Sequence, residues 1–107
     1  MNYAETLRKE LADKNANIVA TRFEPNKDKI MKPIVEGIKR IGYVCIDTSG
    51  YDTSSCEGRY ASAAAGGLKY TDLNAFAEWL TKEGFKVSRQ WWGMSTNGLP
   101  DMLKITL

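Results

Sequence analysis

Histidine is absent from this chain of 107 residues, and cysteine occurs only at Cys45 and Cys56. Without an imidazole the chain cannot form a Ser-His-Asp triad, a Cys-His nucleophile pair or a histidine-ligated zinc site. Two cysteines without CxxC spacing cannot form a four-thiolate zinc site either. The sequence therefore predicts a protein without a metal ion or a cofactor, and it argues against most classes of enzyme.

Long apolar runs and strong charge of one sign are also lacking. No apolar run approaches the ~20 residues that a membrane-spanning helix needs, and residues 1–15 carry charges where a signal peptide would be apolar. Fifteen Lys and Arg against thirteen Asp and Glu leave a net charge of +2. These features predict one cytoplasmic domain, 1–107, with neither a basic arm nor an acidic tail.

The other side chains that could act in catalysis or bind a metal ion do not form a known motif. Asp47, Asp52 and Glu57 surround a predicted loop, but their spacing matches no magnesium loop. Cys56 stands three residues before Arg59, which is not the arrangement of a phosphate-transfer cysteine. The apolar neighbours of Cys45 predict a small buried side chain, whereas Cys56 is expected to be exposed. The sequence therefore predicts no catalytic residue.

Three segments have the spacing of helices. Asn2 caps the first, residues 2–15, whose narrow apolar stripe is Tyr3, Leu7 and Leu11. The second carries a broader stripe and ends at Gly42, and Pro33 predicts that it begins near Met31 or kinks. The third begins at Thr71 and ends at Gly84.

Five segments are predicted as strands: residues 18–23, 43–48, 59–63, 85–92 and 102–107. With the helices they predict an α+β fold, a small antiparallel sheet with helices mainly on one face. The order is ferredoxin-like, βαββαβ, with an added N-terminal helix and C-terminal strand. In the last strand, Leu103, Ile105 and Leu107 are expected to point inward.

The turn of the last hairpin predicts how its two strands pair. A three-residue loop ending at Gly98 pairs Val87 with Leu107 and Arg89 with Ile105, so that the apolar residues share a face. Trp91 then lies on the core face. Trp92 lies on the other face, opposite Met102.

That register predicts an interaction surface at the tip of the hairpin. Its apolar cluster consists of Trp92, Met94, Pro100 and Met102, and such clusters resemble protein-binding hot spots. Tyr51 and Tyr60 are further candidates, because the stretch 49–70 consists mostly of predicted loop, and long loops in compact domains are usually functional. The alternative is that the first helix folds over the cluster through its apolar stripe.

Positive charge on the second helix gives a second hypothesis. The basic residues are Lys27, Lys29, Lys32, Lys39 and Arg40. They could attract nucleic-acid phosphates, although acidic residues interleave with them and the sequence pI of 8.5 is below that of a strong binder.

The sequence thus predicts a small non-enzymatic binding protein that acts through protein–protein contact. It would be a homodimer, or an inhibitor or adaptor of a larger partner, and its size is typical of phage accessory proteins. The alternative is a weak nucleic-acid-binding protein that uses the second helix.

Overall fold

The structure is a computed structural model that describes residues 2–48, 54–90 and 102–107, with the backbone alone at position 90. The helices are α1 (Tyr3–Ile18), α2 (Lys27–Ile41), α3 (Cys56–Ala64) and α4 (Leu73–Lys82). The strands are β1 (Val44–Asp47), β2 (Lys86–Gln90) and β3 (Met102–Thr106). All the strand pairs are antiparallel, in the order β1-β3-β2. The predicted α+β class with a small antiparallel sheet is therefore confirmed.

Two of the predicted strands are helical, so the described residues do not have the ferredoxin-like order. Residues 18–23 complete α1 and form the π-helical turn Val19–Phe23. Residues 59–63 lie inside α3, where the hydroxyl of Ser55 accepts a hydrogen bond from the Gly58 N–H at 3.1 Å and caps the helix. Core packing in both segments, together with the Ser55 cap in the second, overrides the β propensity of the residues.

The π-helical turn directs two neighbouring side chains to different parts of the fold. Phe23 is fully buried, and its ring centroid lies 5.1 Å from that of Phe76 and 5.3 Å from that of Trp79. Arg22 reaches the end of α3, where its Nε donates to the Ala65 carbonyl at 3.0 Å. The wide turn therefore fastens α1 to the aromatic core and to α3 at the same point.

Arg22 also binds the start of α4. Its Nη1 lies 3.1 Å from Oδ2 of the buried Asp72, and its Nη2 donates to the Gly67 carbonyl at 3.2 Å. The same carboxylate oxygen accepts the Lys69 N–H at 3.0 Å. We call this set of contacts the Arg22 staple. It supplies partners to carbonyls beyond the end of α3 and to a carboxylate that would be costly to bury alone.

Helix α2 begins at Lys27 rather than near Met31, and it continues through Pro33, which is buried. It packs closely on β1, since a Cβ at Gly37 would lie 2.5 Å from Val44 Cγ2. The helix ends at Gly42 with φ of 89°, the left-handed conformation predicted for this glycine.

The sheet places one face on the core. Alternate residues of β1 and β3 are buried, namely Val44, Ile46, Leu103 and Ile105. The residues between them are half-buried and lie on the opposite face, which we call the outer face. Cys45 lies there and is half-buried, so the prediction of a buried side chain is wrong.

The predicted register of the last hairpin is also wrong. Val87 pairs with Ile105 and Arg89 pairs with Leu103, a slip of two residues from the prediction. Because side chains alternate with a period of two, this slip leaves Val87 on the same face as Ile105. It also leaves Leu107 beyond the ladder, where it is exposed instead of inward-facing.

The outer edge of β1 is closed by the segment that leads into α3. The Asp47 N–H donates to the Ser54 hydroxyl at 2.7 Å, and the Ser55 N–H donates to the Cys45 carbonyl at 3.2 Å. A Cβ at Gly58 would clash with the same carbonyl oxygen. These contacts give the edge hydrogen-bond partners and protect it from pairing with another strand.

Candidate functional site

Most of the predicted hairpin surface lies outside the described residues. Trp92, Met94 and Pro100, the loop candidate Tyr51 and the Asn97-Gly98 turn all belong to undescribed segments. Their predicted contact role stays a prediction.

Met102 and Tyr60 are the two described members of the predicted set, and they lie on different elements. Met102 is half-buried on the outer face and pairs with Gln90, so its predicted pairing with Trp92 is wrong. Tyr60 lies on α3 rather than in a loop, and its side chain is 66% exposed. The helix α3 also corrects the prediction of loops and a short strand across residues 49–70.

Helix α1 carries the largest exposed apolar stripe among the described residues. Tyr3 is 96% exposed, Leu7 is 54% exposed and Leu11 is 50% exposed. None of the residues of α1, all of them described, is buried. The alternative expectation, that this stripe folds over the hairpin cluster, concerns residues that mostly lie outside the described part of the chain, so it stays a prediction.

The exposed part of α1 projects because only its other end is attached. Residues 2–14 are exposed on every side of the helix, whereas Ile18 and Val19 pack against the core. At its start, Asn2 Oδ1 accepts the Glu5 N–H at 2.9 Å, which confirms the predicted N-cap. We call residues 3–14 the α1 arm.

A groove lies between the C-terminal half of α1 and α4. It encloses about 540 Å³, within the usual size of a ligand-binding site. Its lining residues are Ala12, Asn15, Ala16, Val19, Ala20, Glu24, Ala75, Glu78, Trp79, Lys82 and Glu83. We call it the α1–α4 groove. Small apolar side chains form most of its walls, and charged side chains stand at its rim.

The predicted nucleic-acid surface is partly neutralised by ion pairs. Lys27 Nζ lies 2.8 Å from Glu83 Oε1, and Arg40 donates to the two carboxylate oxygens of Glu57 at 2.8 and 3.0 Å. The hydrogen bond from Arg40 lowers the pKa of Glu57, and the bond to Glu83 raises the pKa of Lys27. Three of the five predicted cations remain outside these pairs, namely Lys29, Lys32 and Lys39, and all three are exposed.

The candidate carboxylates are not brought together in the described chain, whereas Arg59 Nη2 donates to Cys56 Sγ at 3.5 Å. Glu57 is held by Arg40, and Asp52 lies in an undescribed segment. No group of three or more His, Cys, Asp or Glu side chains among the described residues is arranged to hold a metal ion. Both cysteines are free. Burial raises the pKa of the Cys45 thiol, and the nearby Lys104 opposes this shift.

Sequence reasoning missed the α1–α4 groove and the Arg22 staple. A signal for the groove was available, since Ala12, Ala16 and Ala20 recur at the spacing of one helix face. The staple gave no signal, because Arg22 lies about fifty residues from Asp72 in sequence and nothing local links them.

Among the described helices, none combines the length and the apolar character that crossing a membrane requires. Comparison of the chain with protein-family models, with curated proteins and with solved structures finds no match.

Proposed function

We propose that the protein is a small non-enzymatic binding protein that acts through protein–protein contact, with the α1 arm as its contact surface. The observation that carries the proposal is the exposure of Tyr3, Leu7 and Leu11 along one side of a projecting helix. A stripe at this spacing supplies the anchor residues that a helix places in the groove of a partner.

The physical chemistry of the arm supports this role. A helix of this length gains little stability in water without tertiary packing, and the arm has no buried side chain with which to pack. Burying large aliphatic or aromatic side chains against a partner contributes about 1.5–3 kcal/mol each. Binding would therefore stabilise both the complex and the arm itself.

The charges beside the stripe favour a larger partner over a second copy. Arg8 borders the stripe on one side and Glu10 borders it on the other. Two arms packed antiparallel through Leu7 and Leu11 would bring Arg8 near its own counterpart and Glu10 near its own. Like charges at those positions oppose self-association through the arm.

Site-specific photo-crosslinking tests the proposal. A benzophenone amino acid replaces Leu7 in one variant and Lys9 in the other, and both are expressed in the cells that produce the protein naturally. Lys9 lies on the opposite side of the same helix, so it serves as the matched control.

The expected result is a discrete crosslinked adduct from position 7 that position 9 does not give. The mass of the adduct distinguishes a larger partner from a second copy, and either one supports protein contact. Equal adducts from both positions, or none from either, would contradict the proposed contact surface.

A further inference from the structure

The shape of the α1–α4 groove is suited to binding a third helix. Its two walls are helices, and the α1 wall presents Ala12, Ala16 and Ala20. These side chains recur every four residues, so they line about two turns of the wall. Alanine side chains allow another helix to approach to the short end of the usual interaxial range, about 8 Å.

Trp79 gives the groove an apolar wall without a free donor. Its indole is only 3% exposed, and its Nε1–H donates to Glu24 Oε1 at 2.7 Å. Since that hydrogen bond satisfies the indole N–H, a ligand meets only hydrocarbon there. The small exposed part of Trp79 therefore adds to the apolar lining that the alanines supply.

The rim of the groove is acidic in a chain whose net charge is positive. Three carboxylates line it, those of Glu24, Glu78 and Glu83, against the single ammonium of Lys82. Lys27 pairs with Glu83, whereas Glu78 is exposed and makes no ion pair with another described residue. With Lys27 and Lys82 both counted against the three carboxylates, the rim keeps an excess of one negative charge, so it favours cationic over anionic side chains.

We propose that the α1–α4 groove binds an amphipathic helix with basic flanks, supplied by a partner protein. The apolar face of that helix packs on the alanines and Trp79, and its lysines or arginines meet the acidic rim. This surface shares only Ala12 with the α1 arm and uses none of the stripe residues Tyr3, Leu7 and Leu11, so the proposal goes beyond the proposed function and does not depend on it.

A second copy of this chain does not offer a helix of that chemistry from the described residues. The arm carries as many acidic as basic residues, with Glu5, Glu10 and Asp13 against Arg8, Lys9 and Lys14. Helix α2 is more basic, but its apolar face is buried in the core. Since neither of these described helices fits the groove, we infer that the occupant is a helix of another protein.

Peptide binding tests the proposal directly. The probe is a fluorescent amphipathic peptide of leucine and lysine about five helical turns long, and the reference probe carries glutamate in place of lysine. Fluorescence anisotropy with the purified full-length protein should give at least about tenfold tighter binding of the lysine probe, or about 1.4 kcal/mol.

Matched variants locate the binding site. Ala16→Phe fills the groove and should weaken the lysine probe about tenfold, whereas Ala4→Phe on the arm should leave its affinity unchanged. Glu78→Lys should also weaken binding, whereas Glu5→Lys on the arm should not. Circular dichroism confirms that every variant is folded.

Three outcomes would overturn the proposal. They are equal affinity for the two probes, equal effects of the groove and arm variants, and absence of binding at millimolar peptide. None of them bears on crosslinking from position 7, so failure of this inference is distinguishable from failure of the proposed function.

Discussion

Helix α4 and the α1 arm have the same kind of apolar spacing but opposite environments. Helix α4 buries Leu73, Ala75, Phe76, Trp79 and Leu80, while every residue of the arm is exposed. The α4 stripe meets the sheet, the π-helical turn and the aromatic core. The arm continues α1 beyond most of these elements, so its stripe stays exposed, although Leu11 lines a shallow pocket with Asn74 and Ala77 of α4.

This comparison shows that hydrophobic periodicity identifies the apolar side of a helix but not the surface that covers it. In α4 the apolar side chains contribute to the free energy of folding. In the arm they would contribute only to the free energy of association. Substitutions of equal size in the two helices should therefore affect stability very differently.

Phe76→Ala should have the largest effect on stability. Phe76 is fully buried and its ring contacts those of Phe23 and Trp79, so truncation should lower the free energy of unfolding by about 3–5 kcal/mol. Urea unfolding followed by circular dichroism gives the value. Leu7→Ala on the arm is the control and should change stability by less than about 0.5 kcal/mol. A loss above that for Leu7 would indicate that the arm is packed.

Arg22→Met should have the next largest effect. It removes the Arg22 staple and leaves Asp72 as a buried carboxylate without its guanidinium, at a cost of about 2–3 kcal/mol. Arg8→Met on the arm makes the same chemical change on an exposed surface and should be nearly neutral. Equal losses in the two urea transitions would contradict the structural role of the staple.

Gly58→Ala should destabilise the body of the fold even though alanine is the better helix former. The added Cβ would clash with the Cys45 carbonyl oxygen, and the gain in helix propensity of about 1 kcal/mol offsets only part of the strain. A net loss of about 1–2 kcal/mol in thermal unfolding is expected. Asn17→Ala, on the exposed side of α1, should instead be neutral or slightly stabilising.

The smallest expected effect concerns the pH dependence of the Arg40–Glu57 pair. Because the pair lowers the pKa of Glu57 in the folded state, its stabilisation is present above the unfolded carboxyl pKa of about 4.3. It is lost as the pH falls through the lowered value. Urea unfolding of the wild type and Glu57→Gln should therefore differ at neutral pH and converge in acid. A constant difference across this pH range would contradict the assignment.

The elements that could be predicted from sequence are those whose signals are local. The Asn2 cap, the left-handed Gly42 and the inward Leu103 and Ile105 depend on neighbouring residues or on alternation, and all were predicted correctly. The helical conformation at 18–23 was missed, because burial of Phe23 against a distant helix decides it. Local β-branching at Val19 and Thr21 pointed to a strand.

The candidate site likewise has one part that the sequence reveals and one part that depends on the tertiary structure. The apolar stripe of α1 was visible in the sequence, but its exposure depends on where α1 ends relative to α4, which is a tertiary property. The α1–α4 groove arises from two helices far apart in sequence. Only its alanine spacing could have been recognised in advance.

The Arg22 staple has a mechanical consequence for the α1 arm. The staple anchors the arm at one end only. Because the helix is stiff, the orientation at this anchor determines the orientation of the whole arm. Because a helix rises 1.5 Å per residue, the tip at Tyr3 stands nearly 30 Å from the fixing point at Arg22. A small rotation at the π-helical turn would sweep the tip across several ångströms. The orientation of the apolar stripe of α1 is therefore set by a residue that lies outside the stripe.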